Sequence, residues 1–476
     1  MSEKTQKDTV KGLYKRENGL ATMSAKDRKA MASYCHDYMD FLGKAKTERR
    51  AYAESIALLE KNGFKPITSF QTLKPGDKVY RGYHGKTLLA AVIGKRPVTE
   101  GVDVVGGHTD APRLDLKSVP LTEMGGLAYF DTHYYGGIKK FQWVVRPLSL
   151  YGVVCKTDGT KVDIAIGDKP GDPVFMITDI LPHLGREQMQ QKMFEAIPGE
   201  NLDLLIGSEP CPEKEDDKDY KEKVKLNILR LLEKTYGITE EDLTSAELEI
   251  VPEGMPRELG FDRSMICGYG HDDRVCAFAG LRALIDQPGI PERTGVIIMC
   301  DKEEIGSVGA TGMDSTFFEN SIAEILYRSL GKKYDDVQLR RTLEASRMLS
   351  ADVTAASDPH FSDLDSPANN MAILNAGACI NKYTGGGGKS GASDARAEFL
   401  GVLRKVFAKH NVAWQIGELG KVDKGGGGTI AKFLARYGMD VVDMGTPLLN
   451  MHAPCELAAK FDVYMTYRAY YAFLAG

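Results

Sequence analysis

Hydrophobic and polar positions follow helical spacing early in the chain and then change to a strand pattern. Apolar residues recur at helical spacing through residues 31–59, and Ser24 with Asp27 forms a helix-start signal, which together predict two helices packed on a core. Residues 88–93 form a near-continuous apolar run, typical of a strand in a sheet buried on both faces. Residues 102–105 predict a second short strand.

A β-rich pattern fills the middle third of the chain. Short β-branched and aromatic runs separated by turns predict strands at residues 141–145, 151–155, 162–166 and 174–177. We therefore expect an inserted β-rich domain over residues 113–255.

Strand-like and helical segments alternate again after residue 260. Residues 296–300 and 441–444 are apolar, β-branched runs, and apolar residues return to helical spacing after residue 394. Such alternation predicts a mostly parallel sheet covered on both faces. The predicted fold class is α/β, with a doubly wound, mostly parallel sheet in a catalytic domain of residues 1–112 and 256–476, interrupted by the β-rich insertion.

Composition limits the classes of protein to which the chain can belong. With 476 residues, 43% hydrophobic and 27% charged, it has ordinary globular composition, and no apolar run approaches the roughly 20 residues that cross a bilayer. Lysine and arginine total 61 against 66 acidic residues, so we expect neither nucleic acid nor a membrane as a partner. Eight scattered cysteines without a CxxC pair, and a start without a targeting pattern, predict a cytoplasmic location.

Polar residues follow the predicted strands, where open parallel sheets collect functional groups. His108 and Asp110 are two positions apart, so in an extended chain they share a face, and Asp110 can accept the far imidazole N–H. Glu303 and Glu304 come directly after a buried run, where adjacent carboxylates are costly without a nearby positive charge. A divalent cation meets that need if one glutamate binds it and the other carries protons. A structural histidine and a solvated carboxylate pair are the competing interpretations.

Three further segments add weaker candidates: residues 269–274, where one of the adjacent Asp272 and Asp273 could bridge two metals, Asp352 after residues 349–351, and His452 within residues 450–456. An aspartate on a turn is usually only a cap. Together with the segments of His108 and of Glu303 and Glu304, however, they supply two histidines and at least three carboxylates near predicted strand ends. Such a set suits paired Zn²⁺, or Co²⁺ or Mn²⁺, rather than a structural thiolate site.

A run of four glycines at residues 385–388 suggests a phosphate-binding loop as a different hypothesis. The P-loop pattern requires glycine where this chain has Tyr383, and no convincing strand precedes the run. We therefore favour a flexible loop that lines a substrate pocket, with Gly388 and Lys389 binding the substrate; a plain surface loop is the competing interpretation. No GxSxG nucleophile elbow occurs.

The order of these motifs resembles that of the aspartyl aminopeptidases, a family of co-catalytic zinc metallopeptidases related to vacuolar aminopeptidase. The motifs are Gly-Gly-His-Thr-Asp-Ala-Pro at 106–112, Asp-Lys-Glu-Glu-Ile-Gly-Ser at 301–307, Ser-Ala-Asp-Val-Thr at 350–354, Gly-Lys-Ser-Gly-Ala-Ser-Asp-Ala at 388–395 and Met-His at 451–452. The resemblance extends from about residue 85 to the C-terminus. It implies hydrolysis of the N-terminal residue of a peptide substrate.

The resemblance also implies a ligand set for two zinc ions per subunit. His108, Asp272 and Asp352 would hold one ion. Asp272, Glu304 and His452 would hold the other, so that Asp272 bridges the two.

Further roles follow from the same resemblance. It implies that Glu303 is the general base, that Asp110 orients His108, and that residues 113–255 form a dimerisation domain. Relatives assemble as homo-oligomers, from dimers to a dodecamer, and a histidine of the insertion enters the neighbouring active site. His183 is the best local match for that histidine, and His133 is the rival.

Two departures from the family pattern affect the substrate more than the reaction. The family commonly has a histidine shortly after the Ser-Ala-Asp motif, where this chain has Ala355 and Ala356, and an arginine where this chain has Cys455. Lys389 predicts a preference for N-terminal Asp or Glu, and a neutral, leucine-type preference is the alternative. Three competing functions stay open: a dimetal carboxypeptidase or deacylase on the same core, a nucleotide-binding protein, and a non-catalytic assembly protein.

Overall fold

The computed structural model describes residues 14–212, 220–365 and 370–476, which contain ten α-helices and twenty strands. The helices are α1 (Ala25–Lys44), α2 (Glu48–Lys61), α3 (Met193–Ala196), α4 (Lys223–Tyr236), α5 (His271–Ile285), α6 (Phe317–Leu330), α7 (Asp336–Glu344), α8 (Ala397–His410), α9 (Ala431–Ala435) and α10 (Lys460–Ala475). The strands are β1 (Lys65–Pro66), β2 (Lys78–Tyr83), β3 (Thr87–Val92), β4 (Val102–His108), β5 (Arg113–Met124), β6 (Leu127–Tyr135), β7 (Leu148–Cys155), β8 (Lys161–Ile166), β9 (Leu204–Gly207), β10 (Ala246–Pro252), β11 (Arg257–Leu259), β12 (Met265–Gly268), β13 (Thr294–Cys300), β14 (Arg347–Ser350), β15 (Thr354–Ala355), β16 (Ala378–Asn381), β17 (Trp414–Ile416), β18 (Asp440–Gly445), β19 (Pro447–Leu449) and β20 (Glu456–Ala459).

A nine-stranded sheet has the order β1–β2–β3–β13–β4–β14–β18–β16–β17. Its middle strands β13, β4, β14 and β18 are parallel, whereas β3 and β16 flank them in the antiparallel direction. The middle strands end at one edge, where Cys300 pairs with His108 and Ser350 with Gly106. The apolar runs that predicted β3, β4, β13 and β18 are confirmed as strands.

Helices cover both faces of this sheet. Helices α1, α2, α5, α8 and α10 contribute to one hydrophobic cluster, and α6, α7 and α9 contribute to another. Val104 and Val105 of β4 belong to different clusters, because successive side chains of a strand face opposite sides. The two predicted N-terminal helices are confirmed, and the Ser24 side chain accepts a hydrogen bond from the Asp27 N–H at the start of α1.

A six-stranded sheet, in the order β8–β7–β10–β5–β6–β9, is built only from residues 113–252. All of its pairings are antiparallel. The strands predicted at residues 151–155 and 162–166 are confirmed as parts of β7 and β8. This sheet has a hydrophobic cluster of its own, which includes the completely buried Trp143.

Two strands predicted for this region are wrong. Residues 141–145 form a short 3₁₀ turn and a bend, because only Trp143 in this run is fully buried. Its ring packs edge-on against Tyr269, with the centroids 6.4 Å apart. Residues 174–177 make only isolated bridges. A β-like composition gives a strand only where a partner strand offers a continuous edge for pairing.

A five-stranded sheet, in the order β11–β12–β20–β19–β15, supports the loop between β19 and β20. That loop carries His452. Helix α10 follows β20 directly and packs against α5, so it belongs to the helical layer that also contains α1, α2, α5 and α8. Within the described part of the chain, no helix combines the length and apolar character needed to cross a bilayer.

Candidate metal centre

His108 is the last residue of β4, and its side chain is almost completely buried. Its Nδ1 atom lies 3.2 Å from Asp110 Oδ1 and 3.0 Å from the Asp110 carbonyl oxygen. Both neighbours are acceptors, so Nδ1 carries the proton and Nε2 presents its lone pair on the far side of the ring. The structure thus places Asp110 beside His108, as the two-residue spacing predicts.

Asp272, in the first turn of α5, joins the two histidines. Its Oδ1 atom lies 3.3 Å from His108 Nε2, and its Oδ2 atom lies 3.2 Å from His452 Nε2. The side chain is only 4% exposed. Because its two oxygens face different imidazoles, this single carboxylate is placed to bind two ions at once.

The adjacent glutamates after β13 face different histidines. Glu304 Oε2 lies 3.5 Å from His452 Nε2, whereas Glu303 Oε2 lies 4.0 Å from His108 Nε2. Lys302 has a φ of 68° and turns the chain just before the pair. The Glu303 side chain is 16% exposed and that of Glu304 only 4%. This divergence suits one metal ligand and one proton carrier.

Ligand atoms gather into two clusters that share Asp272. His108, Asp272 and Asp352 form the first cluster, and Asp272, Glu304 and His452 form the second. Within each cluster the ligand atoms lie within 4.8 Å of one another. Asp352 reaches the first cluster because β14 is the strand next to β4. The fold therefore brings together all five residues that the sequence proposed as ligands.

A cavity of about 410 Å³ opens over the two clusters. Glu303, Glu304 and His452 line one side, and Lys432 and Phe433 of α9 line another. The sequence did not single out the two α9 residues. Their only signal was the glycine run at 425–428, which precedes this short helix and of which residues 426–428 also line the cavity.

Two further groups orient the second histidine. The Glu456 carboxylate accepts the backbone N–H of Asp272 at 3.0 Å and that of His452 at 2.7 Å. The Gly137 carbonyl oxygen accepts a hydrogen bond from His452 Nδ1 at 2.9 Å, which leaves Nε2 for a ligand. Sequence reasoning missed both groups, because a glycine carbonyl has no signal in the sequence and Glu456 acts through backbone atoms.

Burial and the two histidines shift the pKa values of these carboxyl groups in different directions. Burial raises the pKa of Glu303 to about 7 and the pKa of Glu304 and of Asp352 well above their usual range. Burial also raises the pKa of Asp272, but hydrogen bonds from His108 and His452 outweigh it and lower that pKa. The site therefore contains four largely buried carboxyl groups but only two histidines that could offset their negative charge.

A zinc ion fits these residues. Glu304 Oε1 is buried and has no hydrogen-bond partner among the described residues, so it is free to bind an ion. Imidazole nitrogens and carboxylate oxygens are ordinary zinc ligands, and both histidines have their Nδ1 atoms held by oxygen acceptors. A bound cation would satisfy the buried Glu304 Oε1 atom, which no hydrogen-bond donor of the described residues contacts.

Gly388 and Lys389 lie beside the cavity rather than over the clusters. They line an adjoining pocket of about 340 Å³ that shares part of its wall with the main cavity. Lys389 Nζ lies 3.0 Å from Asp394 Oδ2 and 3.9 Å from the centre of the Tyr383 ring. The charge of Lys389 is therefore partly engaged within its own loop.

His183 and His133 are both exposed, and neither lines the cavity of its own chain. His183 lies in the loop between β8 and β9, and His133 lies in β6, where its Nδ1 atom is 2.8 Å from the Tyr134 carbonyl oxygen. Exposure leaves either ring accessible to a second copy of the chain. A contribution to a neighbouring site stays a prediction.

Similarity to known proteins covers nearly the whole chain. The family model described as Aminopeptidase I zinc metalloprotease (M18) matches residues 41–474. A probable M18 family aminopeptidase 1 from Clostridium acetobutylicum is 49% identical over 441 residues, which is 92% of this chain and 93% of the relative.

Solved structures agree with this similarity. The crystal structure of an M18 family aminopeptidase from Thermotoga maritima has a TM-score of 0.92 and 43% identity, and the match covers 97% of this chain and 99% of that one. A dodecamer of yeast mApe1 has a TM-score of 0.72 and 22% identity, over 92% of this chain and 95% of that one, and shows likeness of fold.

Proposed function

The chain belongs to the aminopeptidase I (M18) family of zinc metalloproteases, and we propose that its metal centre is the pair of clusters that share Asp272. It is a zinc metallo-aminopeptidase, which hydrolyses the N-terminal residue from peptides. In the proposal His108, Asp272 and Asp352 hold one zinc ion, and Asp272, Glu304 and His452 hold a second. The Asp272 carboxylate supports this most directly, because its oxygens lie 3.3 Å and 3.2 Å from two different imidazoles.

Glu303 is the general base of the proposed mechanism. Zinc, when bound, acidifies water and polarises the carbonyl of the bond to be cleaved. Glu303 lines the cavity beside the first cluster, so its Oε2 atom takes a proton from the attacking water and passes it to the leaving amine. Asp110 keeps the proton of His108 on Nδ1 and so aims Nε2 at the cluster.

An acidic N-terminal residue is the proposed substrate preference, with Lys389 as its partner. The position of Lys389 next to the cavity supports the proposal, although Asp394 competes for its charge. Lys432 lines the cavity itself and is the second cation within reach of a substrate side chain. If neither lysine pairs with the substrate, a leucine-type preference follows.

The proposed domain organisation assigns residues 1–112 and 256–476 to a doubly wound catalytic domain and residues 113–255 to a dimerisation domain. The six-stranded sheet supports it, since every strand comes from residues 113–252. The dodecamer of yeast mApe1 suggests a homo-oligomer built from dimers, up to a dodecamer, for this chain too. His183 is then the candidate to reach a neighbouring site.

A cytoplasmic location is part of the same proposal. All eight cysteines are free thiols, and most of them are buried. Free thiols are typical of proteins in reducing compartments.

Hydrolysis of p-nitroanilides tests the function. The protein is stripped with a chelator, reloaded with Zn²⁺, Co²⁺ or Mn²⁺, and assayed on Asp-, Glu- and Leu-p-nitroanilide and their N-acetylated forms. We expect activity to disappear with the metal, to return with it, and to require a free amine. Turnover of the N-acetylated forms would contradict an aminopeptidase, and two bound metals without hydrolysis of any free-amine substrate would move the assignment to a deacylase or carboxypeptidase.

A further inference from the structure

The last residue of β6, in the six-stranded sheet, and the two glycines that follow it contact the metal centre. The Tyr135 hydroxyl donates a hydrogen bond to Asp110 Oδ2 at 2.8 Å. Gly136 has a φ of 72°, and a Cβ atom there would lie 3.3 Å from the Glu304 Cβ. The Gly137 carbonyl oxygen accepts the hydrogen bond that orients His452. The metal centre is therefore bounded by this sheet as well as by the nine-stranded sheet.

The Asp110 carboxylate is fully occupied by hydrogen-bond donors. Its Oδ1 atom is 3.2 Å from His108 Nδ1 and accepts the Glu303 N–H at 3.2 Å. Its Oδ2 atom accepts the Tyr135 hydroxyl and, at 3.1 Å, the Glu304 N–H. A carboxylate offers about four lone-pair sites, so each donor restricts how the group can rotate. Tyr135 is the one side chain from the six-stranded sheet among these four donors.

Tyr135 is itself held rigidly. The Arg113 guanidinium lies over its ring, 3.9 Å from the centroid, and the two residues are paired across β5 and β6. Arg113 is in turn fixed by Asp115 at 2.7 Å and by Glu249 at 3.4 Å. The phenol oxygen is thus presented to Asp110 by an assembly that is buried apart from the Asp115 side chain and that contains none of the proposed metal ligands.

We propose that Tyr135 is a positioning residue of the metal centre, acting through Asp110 on His108. Its hydroxyl fixes the rotation of the Asp110 carboxylate, and Asp110 then holds both the His108 ring and the backbone that carries Glu303 and Glu304. The inference rests on the proposed function of His108 as a zinc ligand. It predicts that the six-stranded sheet sets the zinc affinity of the first cluster.

Tyr135→Phe tests this role, because it removes the hydroxyl and keeps the ring beneath Arg113. We expect a competing chelator to remove one of the two zinc ions from the variant at a concentration about tenfold lower than the wild type requires. Groups that orient metal-binding histidines typically change metal affinity by about this factor. With both ions restored, kcat should fall while KM stays unchanged, since Tyr135 contacts no substrate. Tyr134→Phe, at the exposed neighbouring position, should retain zinc like the wild type.

Asp110→Asn provides the control for the route of the effect. If Tyr135 acts through Asp110, Tyr135→Phe should change zinc retention less than about twofold in the Asp110→Asn background, because coupled residues are not additive. Tyr135→Leu also lacks the hydroxyl and should repeat the zinc loss of Tyr135→Phe.

Two results would overturn the positioning role: wild-type zinc retention in both hydroxyl-free variants, or the same tenfold loss with and without Asp110. A wild-type protein that binds no zinc would instead overturn the proposed metal centre. The zinc measurement needs no substrate, so the two failures are distinguishable.

Discussion

Two buried groups of charged side chains adjoin each other between the nine-stranded and six-stranded sheets, and their charges are balanced in opposite ways. In the ion-pair cluster, Lys86 Nζ lies 2.9 Å from Glu48 Oε1, and Arg113 lies 3.4 Å from both Glu48 and Glu249. Asp301 completes this cluster, 3.9 Å from Lys86. Every carboxylate here has a cationic side chain of the same protein within reach.

The metal centre lacks such partners. Among the described residues, no lysine or arginine forms an ion pair with Asp272, Glu303, Glu304 or Asp352, and the side chains that contact Asp272, Glu303 and Glu304 are two histidines. Isolated buried charges are costly, so the missing compensation must come from outside the chain. An acidic cluster without its own cation, rather than acidity itself, therefore marks the functional site.

Asp272→Asn should have the largest effect, because the shared carboxylate belongs to both clusters. We expect both zinc ions to be lost and hydrolysis to fall to the uncatalysed background, as measured by metal analysis after gel filtration and by p-nitroanilide assay. Asp352→Asn serves as the control and should release only one ion. Retention of two ions by Asp272→Asn would contradict the bridging role.

Glu303→Gln should separate chemistry from metal binding. The amide cannot accept a proton, so kcat should fall by about 10²–10⁴-fold, while both ions remain bound. Its neighbour gives a matched comparison: Glu304→Gln should lose an ion. Full activity in a metal-loaded Glu303→Gln variant would remove this residue from the role of general base.

Arg113→Met probes the ion-pair cluster. Removing the guanidinium leaves Glu48 and Glu249 without it, so we expect unfolding in urea to show a loss of about 3–5 kcal/mol. Lys117→Met breaks an exposed pair with Glu200 and should cost less than about 1 kcal/mol. Adding Glu249→Gln to Arg113→Met should recover part of the stability; no recovery would mean that Arg113 stabilises by packing alone.

Lys389→Ala should have the smallest effect. We expect the ratio of Asp- to Leu-p-nitroanilide turnover to fall several-fold, but modestly, because Asp394 already shares the charge of Lys389. Lys382→Ala, beside the same aspartate at 3.9 Å, is the matched control. An unchanged ratio in Lys389→Ala together with a lower ratio in Lys432→Ala would transfer the assignment to the lysine that lines the cavity.

The sequence predicts a site residue best where that residue follows a strand that its own apolar pattern identifies. His108 and Glu303 each follow a run of apolar residues that forms a middle strand, and parallel strands bring such ends together. Asp352 follows β14, whose Arg-Met-Leu-Ser sequence contains no such run. Asp272 and His452 lie outside these strands, and their place in the ligand set came from the resemblance.

Other parts of the site depend on contacts that no local pattern records. Gly137 contributes a carbonyl, Glu456 binds backbone amides, and Tyr135 reaches Asp110 from another sheet. The wrong strand at 141–145 has a similar cause, because the burial of Trp143 is decided by its distant neighbour Tyr269. These features depend on contacts between residues that are distant in the sequence, which local composition does not record.

The spread of the ligands along the chain gives activity an order of appearance during protein synthesis. His108, Asp272 and Asp352 emerge from the ribosome before His452, which comes last of the five ligands. A nascent chain that has not yet reached His452 can complete only the first cluster, because the second still lacks its imidazole. The paired site therefore forms only after His452 has emerged, so the second cluster depends on a later part of the chain than the first.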